Sequence, residues 1–141
     1  MKLKVKKLNS LAKIPSYAHP CDAGMDIFSS GHVSLGPGQY IAIPTGIAIE
    51  IPKGFVGLIW DKSGLSTNHG IKVLGGVIDS GYRGEIGIGI INLSNKVYTF
   101  EAGDKVAQML IQKIENPKIV EVKSLTETER GHKGFGSTGK K

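Results

Sequence analysis

Ile86-Gly87-Ile88-Gly89-Ile90 is the stretch whose reading decides the fold. Side chains of an extended strand alternate between two faces, so this run puts three branched aliphatics on one face and leaves the other bare. A bare glycine face is where a close neighbour can pack. Ile47-Ala48-Ile49-Glu50-Ile51 has the same period of two. Working outward, short Ile/Val runs at 40–43, 55–60, 71–74, 85–92 and 97–100 are separated by turn residues. Near the start, Leu3 and Val5 alternate with Lys2, Lys4 and Lys6, which reads as a half-buried strand. Many short strands at this spacing predict an all-β sandwich or barrel.

The length of 141 residues allows one domain with a substantial core. An apolar fraction of 40% and a charged fraction of 21% are those of an ordinary globular protein. Twenty glycines, spread along the chain, favour turns between strands over long helices. The single cysteine, Cys21, excludes a disulfide framework or a cysteine-based metal site within one chain. With Pro20, Asp22 and Gly24 around it, Cys21 reads as a turn residue and not as a nucleophile. No apolar run reaches the length of a membrane span, and the basic start lacks the apolar stretch of a leader. The expected location is the cytoplasm. A net charge of +6 suits any polyanion, but the cations cluster only at the two ends. No nucleic-acid-binding motif is present, so neither nucleic acid nor membrane is an expected partner.

Two segments depart from the strand pattern. Residues 63–69 read as a short helix with Ser63 near its N-cap. Residues 104–115 contain good helix formers, with Val106, Met109, Leu110 and Ile114 on one helical stripe, and the pattern alone leaves helix and strand both open.

Signatures such as HExxH, GxSxG and a complete GxGxxG are absent, and the four histidines lack metal-ligand spacing. What remains is a series of polar clusters beside glycine. Residues 23–27 place Asp26 at a strand start. Residues 61–65 bring Lys62, Ser63 and Gly64 to the start of the short helix, where unpaired N–H groups favour phosphate. Residues 75–84 read as a hairpin carrying Asp79, Tyr82 and Arg83. Residues 103–108 end on Gln108. Any one of these is equally explained as turn chemistry.

The segment 130–141 has too little apolar surface to build a core. Glycine lets backbone N–H groups approach an anion, Ser137 and Thr138 add hydroxyls, Arg130 adds a charged fork, and Phe135 offers a face to an aromatic base. Closure over a nucleotide polyphosphate and a merely frayed end are both compatible with this composition. Gly134-x-x-x-x-Gly139-Lys140 imitates a P-loop, but Lys141 takes the Ser/Thr position and no helix follows, so a P-loop is rejected.

Taken in order, the segments 23–27, 62–65, 76–84, 103–108 and 130–139 resemble the motifs of the homotrimeric deoxyuridine triphosphatase (dUTP pyrophosphatase) family. The resemblance runs through nearly the whole chain. It implies a jelly-roll-like β barrel or sandwich with one short helix, in which 104–115 is mainly strand. Residues 1–129 would form the barrel, and residues 130–141 a flexible arm of the same domain that closes the active site. It implies hydrolysis of dUTP to dUMP and pyrophosphate with Mg²⁺, in a homotrimer whose sites are shared between chains.

By the same resemblance, Asp79 activates the attacking water and Asp26 holds Mg²⁺-bound waters. Lys62, Ser63, Gly64, Gln108 and Arg130 clamp phosphates. The backbone of Gly76, Val77 and Ile78, with Arg83 nearby, forms the uracil-reading turn. Tyr82 excludes a 2′-hydroxyl, Phe135 covers the base, and Gly136, Ser137 and Thr138 complete the closing arm. Lys62 departs from the family's usual arginine, and lysine lacks the bidentate fork. Two alternatives accompany this reading: a dUTP-gated regulatory binding protein, and a dCTP deaminase of the same fold.

Overall fold

Among the described residues the short apolar runs form eleven strands: β1 (Lys4–Lys7), β2 (Met25–Phe28), β3 (Val33–Leu35), β4 (Tyr40–Pro44), β5 (Ile47–Glu50), β6 (Phe55–Trp60), β7 (Ile71–Val73), β8 (Val77–Ile78), β9 (Gly87–Asn92), β10 (Tyr98–Phe100) and β11 (Lys105–Lys113). The one helix among the described residues, α1 (Ser63–His69), follows β6. The structure is a computed structural model and describes residues 1–135.

The strands form the ladders β1-β5, β3-β10, β4-β9-β7 and β2-β11-β6-β8. Every pairing is antiparallel. Neighbours in space are far apart in sequence: β2 pairs β11, and β3 pairs β10. This is the jelly-roll-like, all-β architecture expected from the strand spacing.

The core is the isoleucine set. Ile27, Ile43, Ile47, Ile49, Ile51, Ile86, Ile88 and Ile90 are fully buried, with Phe100 and Met109 among them. The glycine face of β9 behaves as its pattern predicts at Gly89. A Cβ there would lie 3.1 Å from the Leu74 carbonyl oxygen, and the Leu74 N–H donates to the Gly89 carbonyl at 2.8 Å. β7 and its continuation can therefore approach without a side chain intervening.

The ambiguous segment is strand. β11 has β2 on one edge and β6 on the other, so both sides of its backbone are hydrogen-bonded within a sheet. A β-bulge falls between Lys105 and Ala107.

The stretch 75–84 is not a self-paired hairpin. Its outgoing strand, β8, pairs with β6, while the returning chain enters β9 in another sheet. Gly75 and Gly76, at φ 72° and 124°, take backbone angles that residues with a Cβ rarely adopt, and they steer the chain back onto β6.

At α1, Lys62 is the N-cap and Ser63 the first helical residue, with no side-chain capping bond. Cys21 sits in a turn at φ 72°, where the Asp22 N–H donates to the His19 carbonyl. After β11 the described chain has no strand or helix, and Ile119 and Leu125 there are 94% and 86% exposed. Among the described residues no helix is long and apolar enough to cross a membrane.

Candidate active site

Four of the five sequence clusters meet on one sheet. In the order β2-β11-β6-β8, β2 carries Asp26, β11 ends its cluster with Gln108, β6 leads into Lys62, and β8 leads into Asp79. Asp26, Gln108 and Trp60 lie opposite one another across three strands.

At this end of the sheet Asp26 is 2% exposed, yet it is ionised and held from two sides. The Lys62 ammonium donates to Oδ1 at 2.5 Å, and the Lys105 ammonium reaches Oδ2 at 2.7 Å. Burial alone would raise the pKa of Asp26. Hydrogen bonds from Lys105 and Lys62, with the charge of both, outweigh it and hold the carboxyl below its usual value. Gln108 Nε2 donates to the Asp61 carbonyl at 2.8 Å. A Cβ on Gly24 would collide with the Gln108 amide, so glycine here leaves that amide its place. Asp61 in turn accepts from the Val73 N–H at 2.7 Å and pairs with Lys72 at 2.6 Å. These bonds tie the end of β6, the start of α1 and β7 together. Ser63 and Gly64 face solvent at the edge of the cluster.

The other end is built differently. The Ile59 N–H donates to the Gly76 carbonyl at 2.8 Å, anchoring β8 beside β6. Val77 is exposed and Ile78 reaches into the core. The Tyr82 N–H donates to the Asp79 carbonyl at 3.0 Å, closing a turn. The Tyr82 hydroxyl donates to the Glu85 carbonyl at 2.9 Å, and its ring lies over Gly84. Arg83 curls back to the carbonyls of Ser80 and Tyr82 at 2.7 and 2.8 Å, bracing the loop. Asp79 is exposed and looks into a cleft of about 220 Å³ shared with Val77, Ile78, Tyr82 and Glu85.

The two ends do not meet within one chain. From Asp26 to Ile78 the register counts three strand spacings, about 14 Å, and three residues along the strand, about 10 Å, hence about 17 Å in all. Arg130 and Phe135 are exposed, and the Arg130 Nε donates to the Lys133 carbonyl at 3.1 Å. Gly136, Ser137 and Thr138 lie outside the described residues.

Among the described residues no group of three or more His, Cys, Asp or Glu side chains could enclose a metal ion. Both oxygens of the buried Asp26 carboxylate are paired with lysine ammonium groups, so it would hold a Mg²⁺ through the ion's water and not as a direct ligand. Lys105 is the residue that pattern reading passed over. The bulge beside it inverts its face, which no strict alternation reveals.

The dUTPase family profile matches residues 10–139. The deoxyuridine 5'-triphosphate nucleotidohydrolase of Clostridium tetani is 50% identical over 140 residues, covering 98% of this chain and 97% of its own. That of Clostridium novyi is 51% identical over 141 residues, covering 99% of each. Among solved structures, the Staphylococcus bacteriophage 80alpha dUTPase with dUPNHPP matches with a TM-score of 0.92 at 35% identity, over 98% of each chain. A mutant dUTPase from phage phi11 of S. aureus, described as coordinating a structural Mg(II) ion, matches at 0.83 and 32% identity, over 88% of this chain and 98% of that one.

Proposed function

This chain belongs to the dUTPase family, and from that premise we propose that it hydrolyses dUTP to dUMP and pyrophosphate in a homotrimer whose active sites are each assembled from several copies. The observation that carries the shared site is the separation of about 17 Å between the Asp26 end and the Asp79 end of one sheet. A general base acts within about 3 Å of the water it activates, so these two groups of one chain cannot serve one α-phosphorus. Apolar surface supports assembly too. Trp60 and Val77 are 55% and 68% exposed on the outer face of this sheet, and Ile119, Val120 and Leu125 are exposed in the chain after β11. A second and a third copy would cover them.

Asp79 accepts a proton from water as the water oxygen attacks the α-phosphorus. The bond from that phosphorus to the bridging oxygen breaks, and pyrophosphate leaves. Lys62, Ser63, Gly64 and Gln108 from one copy hold the phosphate oxygens and stabilise the charge that develops on them. Asp26 would hold Mg²⁺ through its water, and the ion would supply neutralisation of the charge on the leaving group. The backbone of Gly76, Val77 and Ile78 pairs with the edge of uracil and leaves no space for a thymine methyl, with Arg83 bracing that turn. Tyr82 stacks on the deoxyribose and leaves no room for a 2′-hydroxyl. The arm 130–141 brings Arg130 to the phosphates and Phe135 over the base, and Gly136, Ser137 and Thr138 close around the phosphate chain. The reaction removes dUTP from the pool that DNA synthesis draws on and supplies dUMP for thymidylate. A reducing cytoplasm suits the exposed thiol of Cys21.

Pyrophosphate release from dUTP, dTTP, dCTP and UTP, with and without Mg²⁺, tests this reading. Release from dUTP alone, dependent on Mg²⁺, is the expected result. Equal rates on dUTP and UTP would remove the exclusion role from Tyr82, and release of ammonia from dCTP would mark a deaminase instead.

A further inference from the structure

Two ammonium groups and one carboxylate leave the Asp26 cluster with one positive charge over. Lys62 and Lys105 each take one oxygen of a side chain that is 97% hidden from water, Asp26 being 3% exposed there. Lys62 belongs to a cluster that also presents Ser63 and Gly64 to solvent. Lys105 reaches Asp26 from the opposite strand by a specific backbone device. In β11, Gln108 faces Asp26, Ala107 faces Ile27, and Lys105, not Val106, faces Phe28. Val106 is therefore the extra residue of the bulge, and both Val106 and Ala107 are buried in the core in succession. Without the bulge, alternation would put Lys105 on the core face with Ala107 and Met109. The bulge turns it to the face of Asp26 and Gln108.

We propose that Lys105 is a positioning residue of the phosphate site, which keeps Asp26 paired when Lys62 leaves it for a substrate phosphate. The inference rests on the dUTP-hydrolysing reading above. A buried carboxylate stripped of its only cation is strongly unfavourable, and that penalty would be subtracted from phosphate binding. With a second lysine on the other oxygen, Lys62 can exchange one anion for another while Asp26 stays neutralised. A lone lysine donating to both would leave two anions sharing one positive charge.

The test uses the full chain with Lys105→Met and Lys105→Arg, measuring kcat, KM for dUTP, binding of a non-hydrolysable dUTP analogue, and the thermal midpoint without nucleotide. Lys105→Met should raise KM and the analogue's Kd about tenfold, the change expected when one charged hydrogen bond is lost, with kcat within about twofold. The midpoint without nucleotide should stay near that of the parent, because Lys62 still holds Asp26. Lys105→Arg should restore KM. An unchanged KM in an active Lys105→Met protein overturns the inference, as does a fall in midpoint with KM unmoved, which would mark a purely structural cation. A parent chain that does not hydrolyse dUTP overturns the activity reading and this inference with it. A normal parent beside an unaffected variant overturns the inference alone.

Discussion

The two ends of the β2-β11-β6-β8 sheet contrast in how they are held. The Asp26 end is tied into place: a buried carboxylate between Lys62 and Lys105, Gln108 on the Asp61 carbonyl, and Asp61 on β7. The Asp79 end is an exposed turn anchored by short backbone bonds and by Tyr82 and Arg83 folding back on their own loop. On the proposed reading one end is preorganised for phosphate, where charges must be fixed before the ligand arrives. The other end presents the exposed carboxylate that acts as base, so its value is chemical and not structural. In the proposed trimer, groups needed together for one reaction are kept apart in one chain and brought together between chains.

The sharpest way to break this contrast is Asp79→Asn. The amide keeps the size but cannot accept the proton, so turnover should fall by ~10²–10⁴-fold. Nucleotide binding and thermal midpoint should stay as they are, since an exposed turn side chain adds little to the core. Near-normal hydrolysis would remove Asp79 from the role of base.

Deleting residues 130–141 should leave a folded assembly with turnover reduced on the order of 10²-fold, because Arg130 and the Phe135 cover go with it. Mixing these chains with Asp79→Asn chains should restore part of the activity, as one copy lends its arm to another copy's intact Asp79. No recovery in verified mixed trimers would show that each arm closes over its own chain's base.

Gly76→Ala probes the anchoring of the base end. Its φ of 124° is closed to alanine, and the new Cβ would sit 2.7 Å from the Ile59 carbonyl oxygen. A loss of about 1–3 kcal/mol in unfolding free energy is expected from such strain, together with a raised KM as β8 leaves β6. Urea unfolding and steady-state kinetics on the same sample check both. A raised KM without loss of stability would mean that Gly76 matters for the ligand's approach and not for the turn.

The smallest effect concerns the phosphate end. The pKa of Asp26 is lowered in the folded chain, from an ordinary 3.8. Its pairing therefore adds stability above that ordinary value, and the stability is lost as the pH falls through the lowered one. Urea midpoints measured from neutral to strongly acid pH should show Asp26→Asn losing less stability on acidification than the parent. Parallel curves for the two proteins would mean that the two-lysine cradle leaves folding indifferent to the charge on Asp26.

Much of the fold was legible in the chain. Alternation in 47–51 and 86–90 identified β5 and β9 and their buried faces, because a period of two has only one extended solution when every second residue is isoleucine. Spacing of the Ile/Val runs located the strands from β4 to β10, apart from the two-residue β8, and the short helix after β6 was read at its observed length. The ordered polar clusters pointed to nucleotide chemistry through their resemblance to a family, since each cluster alone is ordinary turn chemistry.

Other features were settled only by tertiary structure. Residues 104–115 carry a helical stripe and a strand alternation at once, and the choice fell to strand because β2 and β6 both offer hydrogen bonds along its edges. Residues 75–84 look like a hairpin locally, yet β8 pairs with β6, since Gly75 and Gly76 turn it there and a long-range partner satisfies its backbone. Lys105 lay hidden for a related reason: one extra residue at Val106 reverses the parity on which reading a strand depends. Local sequence determined most of the extended segments and which residues carry charge. Pairing across the sheet decided which of those charges meet, because register is a property of two strands and is written in neither alone.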